Sequence, residues 1–357
     1  LHLLNSIDGA IEHVLLFVPE HEAQIFSAVY SALINSLPSK TSVSLLVQTG
    51  AEVGIDYWDI PDNQRERMII LDAGDAAMTS WACDLFLAGA KSDEQKMLLA
   101  TPSIERREDN RLPALLAEHG STPIEYAAEP FEAGNFLISE NHIFVGADSA
   151  VIAELEQDGR EIVTIDAPDC PAEERRSVHH GDEKWQEVFH YHNKPETRQP
   201  IFHIDMFMTP AGPGSDGRER ILVGDPAMAA QILHDPLHPL ALAERFDTIA
   251  ADLKARGFDA IRNPLPMIYM DNVDEQMRIW FYASSNNLLV QCSDVEGNIV
   301  WMPEYGHDNW PELTKTDEAN REIWTNLGYE VRMIPDGQRL AENLGGLHCL
   351  TNVLKRG

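Results

Sequence analysis

LGGLHCLTNVL, residues 344–354, is an apolar strand without a hairpin partner beside it in the sequence. A solitary strand would leave a row of backbone groups unpaired at a sheet edge. HVLLFVP, residues 13–19, is a second apolar strand, and no repeated unit precedes it. The two segments are expected to complete each other, with Leu347 to Leu350 paired against Val14 to Val18, so that the first and last parts of the chain meet.

Outward from that junction one order of elements recurs, and a recurring unit decides the architecture. A helix-period segment, a short β-rich run and an apolar hairpin follow one another at 23–36, 42–48 and 81–100. They recur at 104–119, 122–127 and 131–146, and again at 149–158, 161–166 and 201–223. The fourth set is 240–256, a β-rich run from Asp259 to Met270, and 283–303. The fifth, at 316–327, 329–335 and 344–354, lacks the hairpin strand that HVLLFVP supplies. The expected fold is therefore α/β: a five-bladed, pseudo-fivefold propeller with helices outside and the active site on the central axis. Residues 1–357 would form one domain. Two stretches break the pattern, 49–72 and 167–200. Loops beyond about 15 residues are commonly functional, and the aromatic and histidine content of 167–200 predicts an ordered lid over the site.

The composition limits the partners. With 58 acidic against 27 basic side chains the formal charge is −31, which repels phosphate backbones and anionic lipid headgroups. No nucleic-acid or membrane partner is expected, and a small cationic ligand fits the field. No apolar run reaches the roughly 20 residues of a membrane-spanning helix. The four cysteines form no CxxC pair, so neither a zinc ribbon nor a disulfide framework is indicated. Residues 1–10 lack the basic and apolar regions of a signal peptide, and the cytoplasm is the expected compartment. The oligomeric state stays open.

Residues with chemistry to offer gather where each hairpin begins: Trp81-Ala-Cys-Asp84, Glu132-Ala-Gly-Asn135, His203-Ile-Asp205, Ser284-Ser-Asn-Asn287 and Gly345-Gly-Leu-His-Cys349. In a pseudo-symmetric ring these tips converge. His203 and Asp205, two apart on a strand, would point to one face. Gly345 and Gly346 let backbone approach closely beside the Cys349 thiol. Each residue alone also has an ordinary reading: a cysteine in an apolar strand is commonly a small core residue, and Asp84 and Glu132 could be plain strand-end carboxylates. Together, two carboxylates in a closed pocket favour a planar guanidinium, which presents its donors as a fork. A thiol and an imidazole add nucleophilic attack on its carbon, with Cys349 as thiolate and His203 moving protons. His179, His180, His190 and His192 lie in a hydrophilic stretch without zinc-type spacing and are expected to be solvated. Tyr57, Trp58 and Trp185 fit either lid contacts or ordinary loop packing.

This order of motifs resembles the guanidino-group-modifying enzymes of the pentein superfamily, particularly agmatine deiminases and bacterial-type peptidylarginine deiminases. His203-Ile-Asp205-Met-Phe207 is similar to the family's His-x-Asp segment. Gly345-Gly346-Leu-His348-Cys349-Leu-Thr351 is similar to the C-terminal Gly-Gly-x-His-Cys-x-Thr that carries the nucleophile. Phe131-Glu132-Ala133-Gly134-Asn135 is similar to Glu-Gly-Gly-Asn, with Ala133 replacing a glycine, and the resemblance gives Glu132 the task of orienting His203. Trp81-Ala-Cys83-Asp84 resembles Trp-x-Arg-Asp, which assigns Asp84 to the guanidinium nitrogens beside Asp205. Trp81, Asn135 and Gly346 join Asp84 and Asp205 as expected substrate contacts. Cys83 stands where relatives have arginine, and it cannot supply that charge. The resemblance implies no metal and no organic cofactor. It implies hydrolysis of agmatine or a related guanidine to a ureido compound and ammonia; deimination of a peptide's arginine side chain, amidino transfer, and a non-catalytic binding ring are the alternatives.

Overall fold

The computed structural model describes every residue except 92–94, 105, 121, 147–154, 156, 167–173, 191–202, 236–241 and 308. Strand Ile11–Val18 is apolar on both faces, the pattern of a strand covered on both sides, and Val14 to Val18 are fully buried. It pairs parallel with Ser42–Gln48, which pairs parallel with Met68–Gly74, and antiparallel with Thr351–Arg356.

The remaining strands repeat this plan. An antiparallel pair is followed by a strand parallel to its second member in Phe86–Ala90, Lys96–Ala100 and Ile124–Tyr126. Phe136–Ile138, His142–Gly146 and Glu161–Ile165 do the same, as do Met208–Pro213, Glu219–Asp225 and Asp259–Pro264. Leu289–Gln291, Ile299–Pro303 and Glu330–Ile334 make the last such set. Parallel neighbours need a crossover, and amphipathic helices supply it. Ala243–Ala255 buries Phe246, Ile249, Ala250 and Leu253, one stripe at helical spacing, and leaves its acidic face to solvent.

The structure corrects the sequence reading in four places. Each sheet groups a hairpin with the helix and strand that follow it, so Ser42–Gln48 belongs with Ile11–Val18 and not with the hairpin at 81–100. The junction of the chain ends forms, but Leu347–Leu350 is a helical turn; the paired segment is Thr351–Arg356, with Thr351 opposite Leu16 and Val353 opposite Val14. The run from Asp259 to Met270 splits at Leu265 and Pro266 into strands of two different sheets. Residues 49–72 end inside the strand Met68–Gly74, which extends the terminal sheet.

The long insertion contains a hairpin, Glu174–His180 with Glu183–His190, in a sheet with Met267–Asn272 and Met277–Tyr282. His179 is exposed there and His180 packs edge-on against Trp185. His192 and the flanks of the insertion lie outside the described residues. Trp58 is buried, stacked on Tyr30 at 4.6 Å with its indole N–H donating to the Ala23 carbonyl, which makes it a core residue; Tyr57 is exposed. No helix among the described residues is long and apolar enough to cross a membrane.

Candidate active site

A single helical turn precedes the first strand in several sheets: Ala82–Leu85 before Phe86, Ala133–Asn135 before Phe136, Ile204–Met206 just before Met208, and Leu347–Leu350 before Thr351. These turns pack against one another. His203 and Asp205 are therefore not same-face neighbours on a strand. His203 is extended at the entrance to its turn, and Asp205 lies within it. A tight turn rotates successive side chains by about a third of a circle, so neighbours in sequence approach a shared centre from different sides.

Asp84, His203, Asp205 and Cys349 are each no more than 2% exposed. His203 Nε2 lies 2.5 Å from Glu132 Oε2, and its Nδ1 is 3.7 Å from Asp84 Oδ1. Cys349 Sγ is 3.6 Å from Asp205 Oδ2, an oxygen that also takes a hydrogen bond from His348 Nδ1 at 2.8 Å. The structure thus links Asp84, Glu132 and His203 in one group, and Asp205, His348 and Cys349 in another. Gly134 lies between them. A methyl group there would stand 2.4 Å from His203 Nδ1 and 3.2 Å from Asp205 Oδ1. Gly134→Ala is expected to destabilise the protein by about 1–3 kcal/mol, the usual range for overpacking, measured by urea unfolding.

Charge is unevenly satisfied in this cluster. Burial pushes the Asp84 carboxyl up, against the opposing pull of Arg106 and His203. Burial works against a charged His203, but the Glu132 hydrogen bond and the charges of Asp84, Glu132 and Asp205 outweigh it and hold the imidazole at about 9. Glu132 resists burial through the same bond, with Arg106 assisting, and falls to about 2. Burial, then the negative charges of Asp205 and Asp84, push the Cys349 thiol well above its ordinary value. Burial and these charges together disfavour the Cys349 thiolate. Asp84 Oδ1 and Asp205 Oδ1 are buried without a hydrogen-bond partner among the described residues. Such orphaned carboxylate oxygens are costly, and a bound donor would satisfy them.

Trp81, Asn135 and Gly346, the other expected contacts, have the following protein neighbours. Trp81 packs over Gly345, where a side chain would meet the indole at 2.4 Å. Asn135 lies against Gly146. Gly346 gives room to Asn287, whose Nδ2 donates to Cys349 Sγ at 3.1 Å and whose Oδ1 accepts from the Cys349 backbone N–H at 3.0 Å. Asn287 was visible only as the polar tip of the fourth hairpin. Arg106 had no signal at all: it donates to Asp84 Oδ2 at 2.8 Å and to Asp109 Oδ2 at 3.0 Å. It brings a cation to Asp84, where Cys83 offers none.

No family model matches the chain, and no curated protein matches it in sequence. Solved structures do. An agmatine deiminase from C. jejuni superposes with a TM-score of 0.64 over 99% of this chain and 96% of its own, at 12% identity. A structure described as a putative peptidyl-arginine deiminase gives 0.63 over 100% and 99%, at 15% identity. At such low identity the likeness concerns the fold alone: the chain shares the fold of these two structures.

Proposed function

We propose that the protein hydrolyses the guanidinium C–N bond of agmatine or a related small guanidine, releasing ammonia and a ureido product. The observation that carries this reading is the pair of orphaned oxygens, Asp84 Oδ1 and Asp205 Oδ1, buried beside a thiol and an imidazolium. A planar cation with forked donors is the ligand that would satisfy both. The names of the two superposable structures support the same substrate class. The five sheets of common plan, closed through the chain ends, support a five-bladed ring in one domain, with the turns around its axis.

The steps follow from the residues. Burial and negative charge keep Cys349 protonated; the bound guanidinium offsets that charge, so the thiol gives its proton to solvent and the thiolate is favoured. The thiolate adds to the guanidinium carbon, a C–S bond forms, and His203 gives its proton to the departing nitrogen, which leaves as ammonia. His203, now neutral and oriented by Glu132, takes a proton from water; the hydroxide adds to the thiouronium carbon. The C–S bond breaks as the new hydroxyl gives up its proton to solvent, leaving the ureido product and the Cys349 thiolate. Asn287 holds the sulfur throughout.

A ureido colour assay with agmatine, arginine and an arginine-containing peptide tests the reading, with agmatine expected to react fastest. Activity towards none of the three would refute it. Labelling of Cys349 provides a second test. A cationic haloacetamidine is expected to outpace neutral iodoacetamide by at least roughly tenfold at neutral pH, because only the cation relieves the carboxylates. Mass spectrometry of the labelled peptide reads the ratio, and equal rates would contradict substrate-assisted activation.

A further inference from the structure

Cys83, the residue that takes the place of the family's arginine, lies beside a histidine and a carboxylate. Its Sγ is 3.7 Å from His348 Nδ1, which is 2.8 Å from Asp205 Oδ2. One ligand atom from each of Cys83, Asp205 and His348 falls within 4.8 Å of the others. Around a tetrahedral zinc ion, with bonds of about 2.0–2.3 Å, neighbouring ligand atoms stand roughly 3.3–3.6 Å apart, so small movements would close this triangle on an ion. Asp205 is 1% exposed, and its Oδ2 already holds the His348 imidazole that would become its fellow ligand. A cavity whose wall includes Asn5, Ser6, Cys83, His348 and Arg356 reaches the sulfur and the imidazole; Asp205 and Cys349 lie behind that wall.

We propose that Cys83, Asp205 and His348 bind a divalent transition-metal ion of the zinc type. Thiolate, imidazole and carboxylate together select such ions over magnesium or calcium. Binding forms metal–sulfur, metal–nitrogen and metal–oxygen bonds and releases the Cys83 thiol proton and the His348 Nδ1 proton to solvent; no electron is transferred. The fourth position is left to water. A consequence, resting on the guanidine reading above, is that the ion competes with substrate for Asp205 and acts as a reversible inhibitor.

The full chain, stripped of metal by a chelator and kept reduced, is titrated with Co2+ alone and then challenged with Zn2+ alone. The expected result is a thiolate-to-cobalt absorption band with the visible bands of a tetrahedral ion, displaced by Zn2+. The band is expected to persist in Cys349→Ala and to vanish in Cys83→Ala, with His348→Gln weakening the affinity by roughly tenfold or more. Circular dichroism of each variant separates loss of the site from loss of the fold. No band in the wild-type protein, a band that survives Cys83→Ala, or one that disappears in Cys349→Ala overturns the proposal. These readouts do not depend on turnover, so a protein inert towards guanidines would leave the metal question answered.

Discussion

Alanine at position 349 is expected to lower ureido formation from agmatine by more than about 10⁴-fold, while agmatine still binds. Removing a covalent nucleophile takes away the whole reaction path, and in enzymes that use one the loss is commonly the largest any single substitution produces. The orphaned oxygens of Asp84 and Asp205 survive the change, so on the proposed reading a bound cation would keep both partners. Calorimetric titration of Cys349→Ala with agmatine should therefore give a dissociation constant close to the wild-type Michaelis constant, with no heat from turnover. The substitution removes one sulfur from a buried position and leaves the Asn287 amide one acceptor short, at a cost of about 1–3 kcal/mol. The thermal transition should fall by a few degrees and stay cooperative. Turnover within tenfold of wild type in the alanine protein would end the covalent mechanism.

The second large effect concerns the imidazole. His203→Ala is expected to slow turnover by about 10²–10⁴-fold, the usual worth of a positioned acid and base. Glu132→Gln is the more discriminating change. Burial resists a charged His203, and the Glu132 carboxylate is the leading influence that overcomes it and holds the imidazole at about 9. An amide keeps the shape and loses the charge, so the imidazole titrates lower. The step that protonates the departing nitrogen needs the imidazolium, which is lost as pH rises through the pKa of His203. The alkaline limb of the rate profile should accordingly move to lower pH by about one unit in Glu132→Gln. An unmoved limb, with only a uniform loss of rate, would mean that Glu132 acts on packing alone.

Much of this was legible in the sequence because alternation and helical spacing report burial directly. Ser42–Gln48 and Glu161–Ile165 have nearly the bounds that their patterns predict, and unpaired apolar segments near both ends pointed to their pairing. The registers did not follow. Gly346 and His348 look like parts of a strand by composition, yet the chain turns there, and that turn decides where Cys349 points. The same limitation hid the relation of His203 to Asp205, since a one-turn helix has too few residues to show a period. Arg106 was invisible for another reason: a side chain that crosses between turns to reach Asp84 is set by tertiary packing, and nothing in its own neighbourhood marks it. The sheet joining Glu183–His190 to Met277–Tyr282 is likewise a long-range pairing that neither segment signals by itself.

The seam between Ile11–Val18 and Thr351–Arg356 has a consequence for how the protein acquires its activity. Thr351 directly follows the turn that carries Cys349, so the proposed nucleophile is anchored by a contact of very high sequence separation. Contacts of such high sequence separation carry a large loop-closure entropy and tend to form late. Partly folded chains can hold most of their sheets and still lack a seated thiol, which separates compactness from competence during folding. A circular permutant joined across the seam would make that contact local and bring the two events together.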